Sequence, residues 1–231
     1  MRRRRWIAIA ASVLCLLLAM VSAAWNIATQ QLVLSFDHWA ADMRRAGWTV
    51  ERSRIATTGW PFAAIAELSN LSVSGGDATL GAHAEWRCPT LTMRLGLFRP
   101  NSIVFEPSGT QTVTFGPMPP VAITATRAVV IASGLLVGGP NDISVEISGL
   151  RALPMDAAPD TALTVAALKA TMRDRNAIGS TPASFVWTIK ADAIQLPTQA
   201  KTPLGRTIAA LSVETTATGP FPLSQRIDKW L

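Results

Sequence analysis

Acid–base or metal chemistry in this chain would have to be built around two histidines, His38 and His83. His83 opens the run His83-Ala84-Glu85-Trp86-Arg87-Cys88-Pro89, which holds the histidine-x-glutamate and proline–cysteine parts of a zinc deaminase site. That chemistry needs proline before the first cysteine and a second cysteine three positions later. Here the order is Cys88-Pro89 and Leu91 stands where the second cysteine would be, so four zinc ligands are not at hand. Asp37 and His38 are adjacent on a stretch that reads as helix, and adjacent helical residues do not face one another. A solvated helix face is the reading for that pair.

The remaining chemistry-bearing residues are equally dispersed. Asp156, Asp160, Asp174 and Asp192 lack the spacing of a calcium loop. The glycine turns "SGGD" and "VGGPND" carry no phosphate-loop lysine and read as hairpin connections. Cys15 sits in an apolar segment behind the bulky Leu14, unlike a lipid-attachment cysteine, and Cys88 reads as a small buried residue. The two cannot plausibly pair, so there is no disulfide framework. No catalytic residue, metal or cofactor is implied, and an enzyme is not expected.

One local feature stands out: Gly59-Trp60-Pro61-Phe62, set between two stretches of strand-like texture. Pro61 restricts Trp60 to extended backbone, while Gly59 permits a turn. The favoured reading is a structural corner whose Trp60 and Phe62 cap the core. The alternative is an aromatic lip on a groove near a membrane, where the amphipathic ring of Trp60 would sit well.

The elements that must position these residues begin with a membrane segment. Trp6 to Trp25 is twenty residues without a charge, enough at about 1.5 Å per residue to cross a hydrocarbon core of about 30 Å. Trp6 and Trp25 suit the two interfaces. Arg2, Arg3, Arg4 and Arg5 precede it, which keeps the N-terminus cytoplasmic by the positive-inside rule. Cleavage near Ala23, behind Val21-Ser22, is the alternative, but the apolar run is longer than a signal core and an uncleaved anchor is favoured. Membrane lipid is therefore the first expected partner. Of the 21 basic residues, 17 follow the anchor against 15 acidic ones, too even a balance for a nucleic-acid surface. No pattern fixes an oligomeric state.

Leu32, Phe36, Trp39, Met43 and Ala46 are spaced as one helical stripe, ending at Gly47 behind Arg44 and Arg45. The expected organisation is a basic tail over 1–5, a transmembrane helix over 6–25, an amphipathic helix continuing it over 26–47 and a β-rich domain over 48–231. Strands are expected at Thr49–Thr57, Ala63–Ser74, Thr79–Glu85, Thr90–Leu97, Ser102–Glu106, Gln111–Phe115 and Val121–Ala132. Others fall at Leu135–Val137, Asp142–Leu150, Ser184–Leu196 and Ile208–Thr218, with Ala162–Arg173 leaning to strand. Phe185, Trp187, Ile189, Ala191 and Ala193 alternate with more polar neighbours, the mark of a half-buried strand. The fold class is mainly β, an antiparallel curved sheet or sandwich behind an N-terminal helix. The tail has Pro222 and a capping Ser224, so a helix is expected to start there, and the C-terminus reads as truncated.

Three stretches carry a family resemblance: "RRAGWTVERSRIATTGWPF" (Arg44 to Phe62), "EWRCPTLTMRLGLFRP" (Glu85 to Pro100) and "KTPLGRTIAALSVETTATGPFP" (Lys201 to Pro222). In this order and spacing the chain resembles the bacterial domain of unknown function 2125 family. The resemblance implies a membrane segment followed by a β-rich region, and it brings no catalytic residues. It also implies that the helix near Trp230 leads into a second helix-and-strand unit like Arg44 to Trp60. Together these readings lead to a membrane-anchored periplasmic envelope protein that binds or guides an apolar or lipid-like ligand. The alternative is a structural adaptor contacting another envelope protein through sheet edges or aromatic turns.

Overall fold

The computed structural model describes residues 2–76, 83–134, 142–174, 184–198 and 205–218. One helix, α1 (Arg2–Arg45), carries the apolar segment and the amphipathic stretch as a single 44-residue rod. Neither glycine nor proline occurs before Gly47, so nothing interrupts the hydrogen-bond ladder. It stops at Gly47, whose φ of 88° lets its N–H donate to the Arg44 carbonyl while that of Trp48 donates to the Met43 carbonyl. These are the two bonds that satisfy a helix's last carbonyls when the chain turns left-handed.

The buried stripe of α1 differs from the expected one. Thr29, Leu32, Phe36 and Ala40 are buried, with Met43 packed beside them. Trp39 is 40% exposed and leans on Phe36 with ring centroids 5.4 Å apart, and Ala46 is exposed. The small Ala40 lies where helix and sheet meet, and the bulky indole is left on the flank.

The strands are β1 (Thr49–Glu51), β2 (Arg54–Thr58), β3 (Ala63–Gly75), β4 (Ala84–Gly96), β5 (Arg99–Ser108) and β6 (Gln111–Phe115). They continue as β7 (Val121–Thr124), β8 (Arg127–Ser133), β9 (Asp142–Pro154), β10 (Leu163–Asp174), β11 (Ser184–Gln195) and β12 (Thr207–Thr218). All pairings are antiparallel, and β1, β3, β4, β5, β8, β9, β10, β11 and β12 lie in that order across one sheet. The others fill lanes end to end. β1 and β2 share one register along β3 (Glu51 opposite Ser72, Arg54 opposite Ser69). β7 and β8 do the same along β9 (Thr124 opposite Arg151, Arg127 opposite Ser148). β5 and β6 both lie on β4, meeting it at Ser108–Thr90 and Thr112–Arg87. The sheet is a simple meander.

Two expected strands, Thr49–Thr57 and Val121–Ala132, are thus each split in two. Conversely, the break expected between Glu85 and Thr90 is absent, because β4 runs through Cys88-Pro89. All three outcomes fall on one transverse crease. It passes Ser53, Asn70, Pro89, Gly109, the Ala125-Thr126 gap, Gly149, Ala166 and Ala193. Asn70, Gly109, Gly149 and Ala193 have φ between 49° and 82°. At the crease the buried residues step by three positions, Leu68 to Leu71, Cys88 to Leu91 and Ala191 to Ile194. A strict two-residue period would have turned one half of every strand inside out. Because neighbouring strands step together, the sheet keeps a single apolar face across the crease. The proposed strand Leu135–Val137 and the helix start at Ser224 lie outside the described residues.

α1 packs on that face over β1, β3 and β4. Its Leu32, Phe36 and Ala40 join Val50, Ala66, Leu68, Leu71, Val73, Cys88, Leu91 and Met93 in the main core. Each large side chain fully buried there, such as Leu68 or Leu71, contributes about 1.5–3 kcal/mol. A smaller cluster, Val165, Ala191 and Ile194, gathers where the crease crosses β10 and β11.

Candidate functional site

The sheet has two ends. At the distal end α1 stops beside β1; at the proximal end Trp25 of α1 meets the start of β3. The Trp25 Nε1 donates to the Ala63 carbonyl at 3.0 Å. The β2–β3 corner lies there. Gly59 has φ of 98°, and a Cβ on it would come within 2.5 Å of the Ala63 carbonyl oxygen. The Trp60–Pro61 peptide is cis. Phe62 and Ala63 both donate from their backbone N–H to the Gly59 carbonyl, closing the turn.

The corner therefore exists, but its aromatic side chains do not cap the core as expected. Trp60 is 51% exposed and Phe62 71% exposed. The indole of Trp60 reaches sideways to α1, where its Nε1 donates to Ser22 Oγ at 3.2 Å. Of the anchor flanks, Trp25 is turned to the sheet, 38 residues from its partner Ala63, while Trp6 is 70% exposed. Arg2, Arg3, Arg4 and Arg5 belong to the first turns of α1.

The second feature is the face itself. On the proximal side of the crease, direct cross-strand pairs link Ala66, Met93, Phe105, Val130, Val145, Ala170, Ile189 and Val213 in one row from β3 to β12. A parallel row nearer the corner joins Ala64, Leu95, Ile103, Ala132, Ile143, Met172 and Trp187. Directly paired antiparallel residues point to the same side, so both rows lie on the face that α1 covers. The first row goes from buried Ala66 and Met93 to Ile189 and Val213, 39% and 44% exposed, and the second from buried Ala64 past buried Ala132 to Trp187, 51% exposed. Among the described residues no second layer lies over β9–β12. Antiparallel sheets usually alternate apolar-in and polar-out with the apolar side packed, and here the apolar side extends beyond the strands that α1 covers.

The opposite face is mostly polar over β9 to β12, where Ser144, Glu146, Lys169, Thr171, Thr188 and Lys190 lie. Lys169 and Glu146 pair there at 2.8 Å, and Arg173 and Asp142 approach to 3.6 Å. The Lys169 ammonium, first by its hydrogen bond and then by its charge, holds the Glu146 carboxyl below its ordinary range.

The residues first weighed for chemistry are scattered. His38 and His83 are both exposed, the first on α1 and the second just before β4. Asp37 pairs with Arg52 at 2.6 Å, and the Arg52 guanidinium lies 5.3 Å from the centre of the Phe36 ring, so the pair fastens helix to sheet. Cys88 is buried, its Sγ 3.2 Å from the Thr90 carbonyl, and burial pushes its thiol pKa up. That is the state of a structural cysteine, not a nucleophile. Among the described residues no group of three His, Cys, Asp or Glu could hold a metal ion.

Sequence reasoning missed the continuous rows, the Trp25 and Trp60 contacts and the Asp37–Arg52 bridge. Only the rows had a signal in the sequence, in the alternation of β11.

A family profile described as an uncharacterized protein conserved in bacteria (DUF2125) matches residues 25–230. The chain belongs to this family. The DUF2125 match takes in all three stretches on which the resemblance rested, and it begins at Trp25, where α1 meets the sheet. Its description carries no activity. No curated protein and no solved structure matches the chain. α1 is long and apolar enough to cross a membrane, as an anchor or a signal sequence is.

Proposed function

We propose that this DUF2125 chain is a single-pass inner-membrane protein whose sheet stands in the periplasm and binds or guides an apolar or lipid-like ligand along its apolar face. The orientation rests on Arg2 to Arg5 and on the absence of acidic residues before Asp37. The observation that carries the function is the pair of apolar rows, which start beneath α1 and stay apolar as far as β11, one of them to Val213 of β12, while their cover is lost. A face that merely completed a core would end where the helix ends. The reading requires no catalytic group, because transfer of an acyl chain from one apolar surface to another makes and breaks no bond.

A photo-crosslinking residue placed at Trp187 or Val213 in the full chain, irradiated in membranes, is expected to give lipid adducts by mass spectrometry. The same residue at Lys190, on the opposite face of β11, is expected to give none. Equal labelling of both faces, or no lipid at Trp187 and Val213, overturns the proposal. A stoichiometric protein adduct at those positions instead identifies the face as an adaptor surface.

A further inference from the structure

Three aromatic side chains at the proximal end have little protein cover. Trp60 and Phe62 belong to the β2–β3 corner, and Phe98, in the β4–β5 turn, is 81% exposed. The two turns form one frame, because the Leu97 N–H donates to the Phe62 carbonyl at 3.2 Å. That frame is fastened to α1 at two points, Trp60 on Ser22 and Trp25 on Ala63. Ser22 and Trp25 lie in the last turn of the charge-free Trp6–Trp25 segment. A helix that crosses a bilayer with this segment therefore holds all three side chains at the level where hydrocarbon gives way to headgroups. Tryptophan favours that zone, which accepts both its apolar ring and its polar edge. Exposed Arg99, next to Phe98, supplies a cation at the same level that can reach lipid phosphate while its stem stays apolar.

We infer that Trp60, Phe62 and Phe98 form a wedge inserted into the surface of the same bilayer that holds α1. The occupant is lipid, because the frame is continuous with the anchor and leaves the aromatics at the level of the headgroups. The inference rests on the proposed anchor and deepens the proposed function. With the wedge seated about 5–10 Å into the headgroup boundary, the row beginning at Ala64 and Leu95 opens directly onto the leaflet. An acyl chain then passes from bilayer to sheet without crossing water.

The test uses the full chain in phosphatidylcholine–phosphatidylglycerol vesicles, in a Cys15→Ser background with Cys88 left buried. An environment-sensitive fluorophore is attached in turn at Phe62→Cys, Phe98→Cys, Leu17→Cys inside the span, and Met118→Cys at the distal end. Met118 is itself 57% exposed, so it controls for apolar exposure without proximity to α1. Nitroxide lipids labelled near the headgroup are expected to quench the Phe62 and Phe98 labels, with blue-shifted emission, and to leave Met118 unaffected. Lipids carrying the nitroxide deep in the acyl chain serve for the Leu17 label. Quenching at Leu17 by these, with Phe62 and Phe98 as unaffected by headgroup nitroxide as Met118, overturns the wedge and leaves the anchor standing. Absence of quenching at Leu17 by the deep nitroxide overturns both.

Discussion

At Thr29 the helix places a hydroxyl against the sheet, buried and with no hydrogen-bond partner for its Oγ1. A buried polar group left unpaired costs about 1–3 kcal/mol. Thr29→Val, nearly the same shape without the hydroxyl, is therefore expected to raise stability by about 1 kcal/mol, read as a shift in the denaturant midpoint. An unchanged or lower midpoint would mean that the hydroxyl is satisfied in solution. Cys88 gives a second check at this scale. Its burial and raised thiol pKa predict no alkylation of the native Cys15→Ser chain at neutral pH, and one added mass once the sheet is unfolded. Rapid labelling of the folded protein would contradict the described packing. The burial of Cys88 is legible in its residue type, whereas the unpaired hydroxyl of Thr29 is not, because it depends on which distant strand lies over the helix.

Among the elements, the crease matters most. Gly149 has φ of 60°, and an added Cβ would run into Thr126 across the lane boundary. Gly149→Ala meets both strain and clash, with an expected loss of about 1–3 kcal/mol in thermal or denaturant unfolding. If the variant matches the parent, the lanes can part at the crease without cost. The same feature explains what was legible in the sequence and what was not. β11 could be read residue by residue, because its alternation of apolar and more polar residues runs unbroken from Phe185 to Ala191. Thr49–Thr57 and Val121–Ala132 were correctly placed as lanes but not as pairs of strands. Their breaks at 52–53 and 125–126 are fixed by neighbours: Asn70 and Gly149 lie opposite them. Pro89 misled in the other direction. Proline usually ends a central strand, yet here it falls on the crease, where an interrupted ladder tolerates a missing donor. The site divides in the same way. Gly59 and Pro61 announced a turn, but the exposure of Trp60 and Phe62 depends on Ser22 and Trp25, far along the chain.

Among the described residues the molecule is a helix bearing a broad sheet that it only partly covers. Membership of the DUF2125 family and the mainly β fold were legible from short motifs and strand texture. The reach of the apolar face was not, because it emerges only when the registers of nine lanes are laid side by side.

The meander also governs how such a sheet can come into being. Each lane pairs with the lane just before it, so no strand waits for a partner far downstream. A chain threaded outward through a membrane with α1 held behind can lay β3 against the helix, then add strands as they emerge. On the proposed topology, assembly follows the order of export, with the growing edge always the newest strand. Export stalled after β9 is expected to leave β1 to β4 already resistant to protease, and full sensitivity of that intermediate would show that the sheet closes only as a unit.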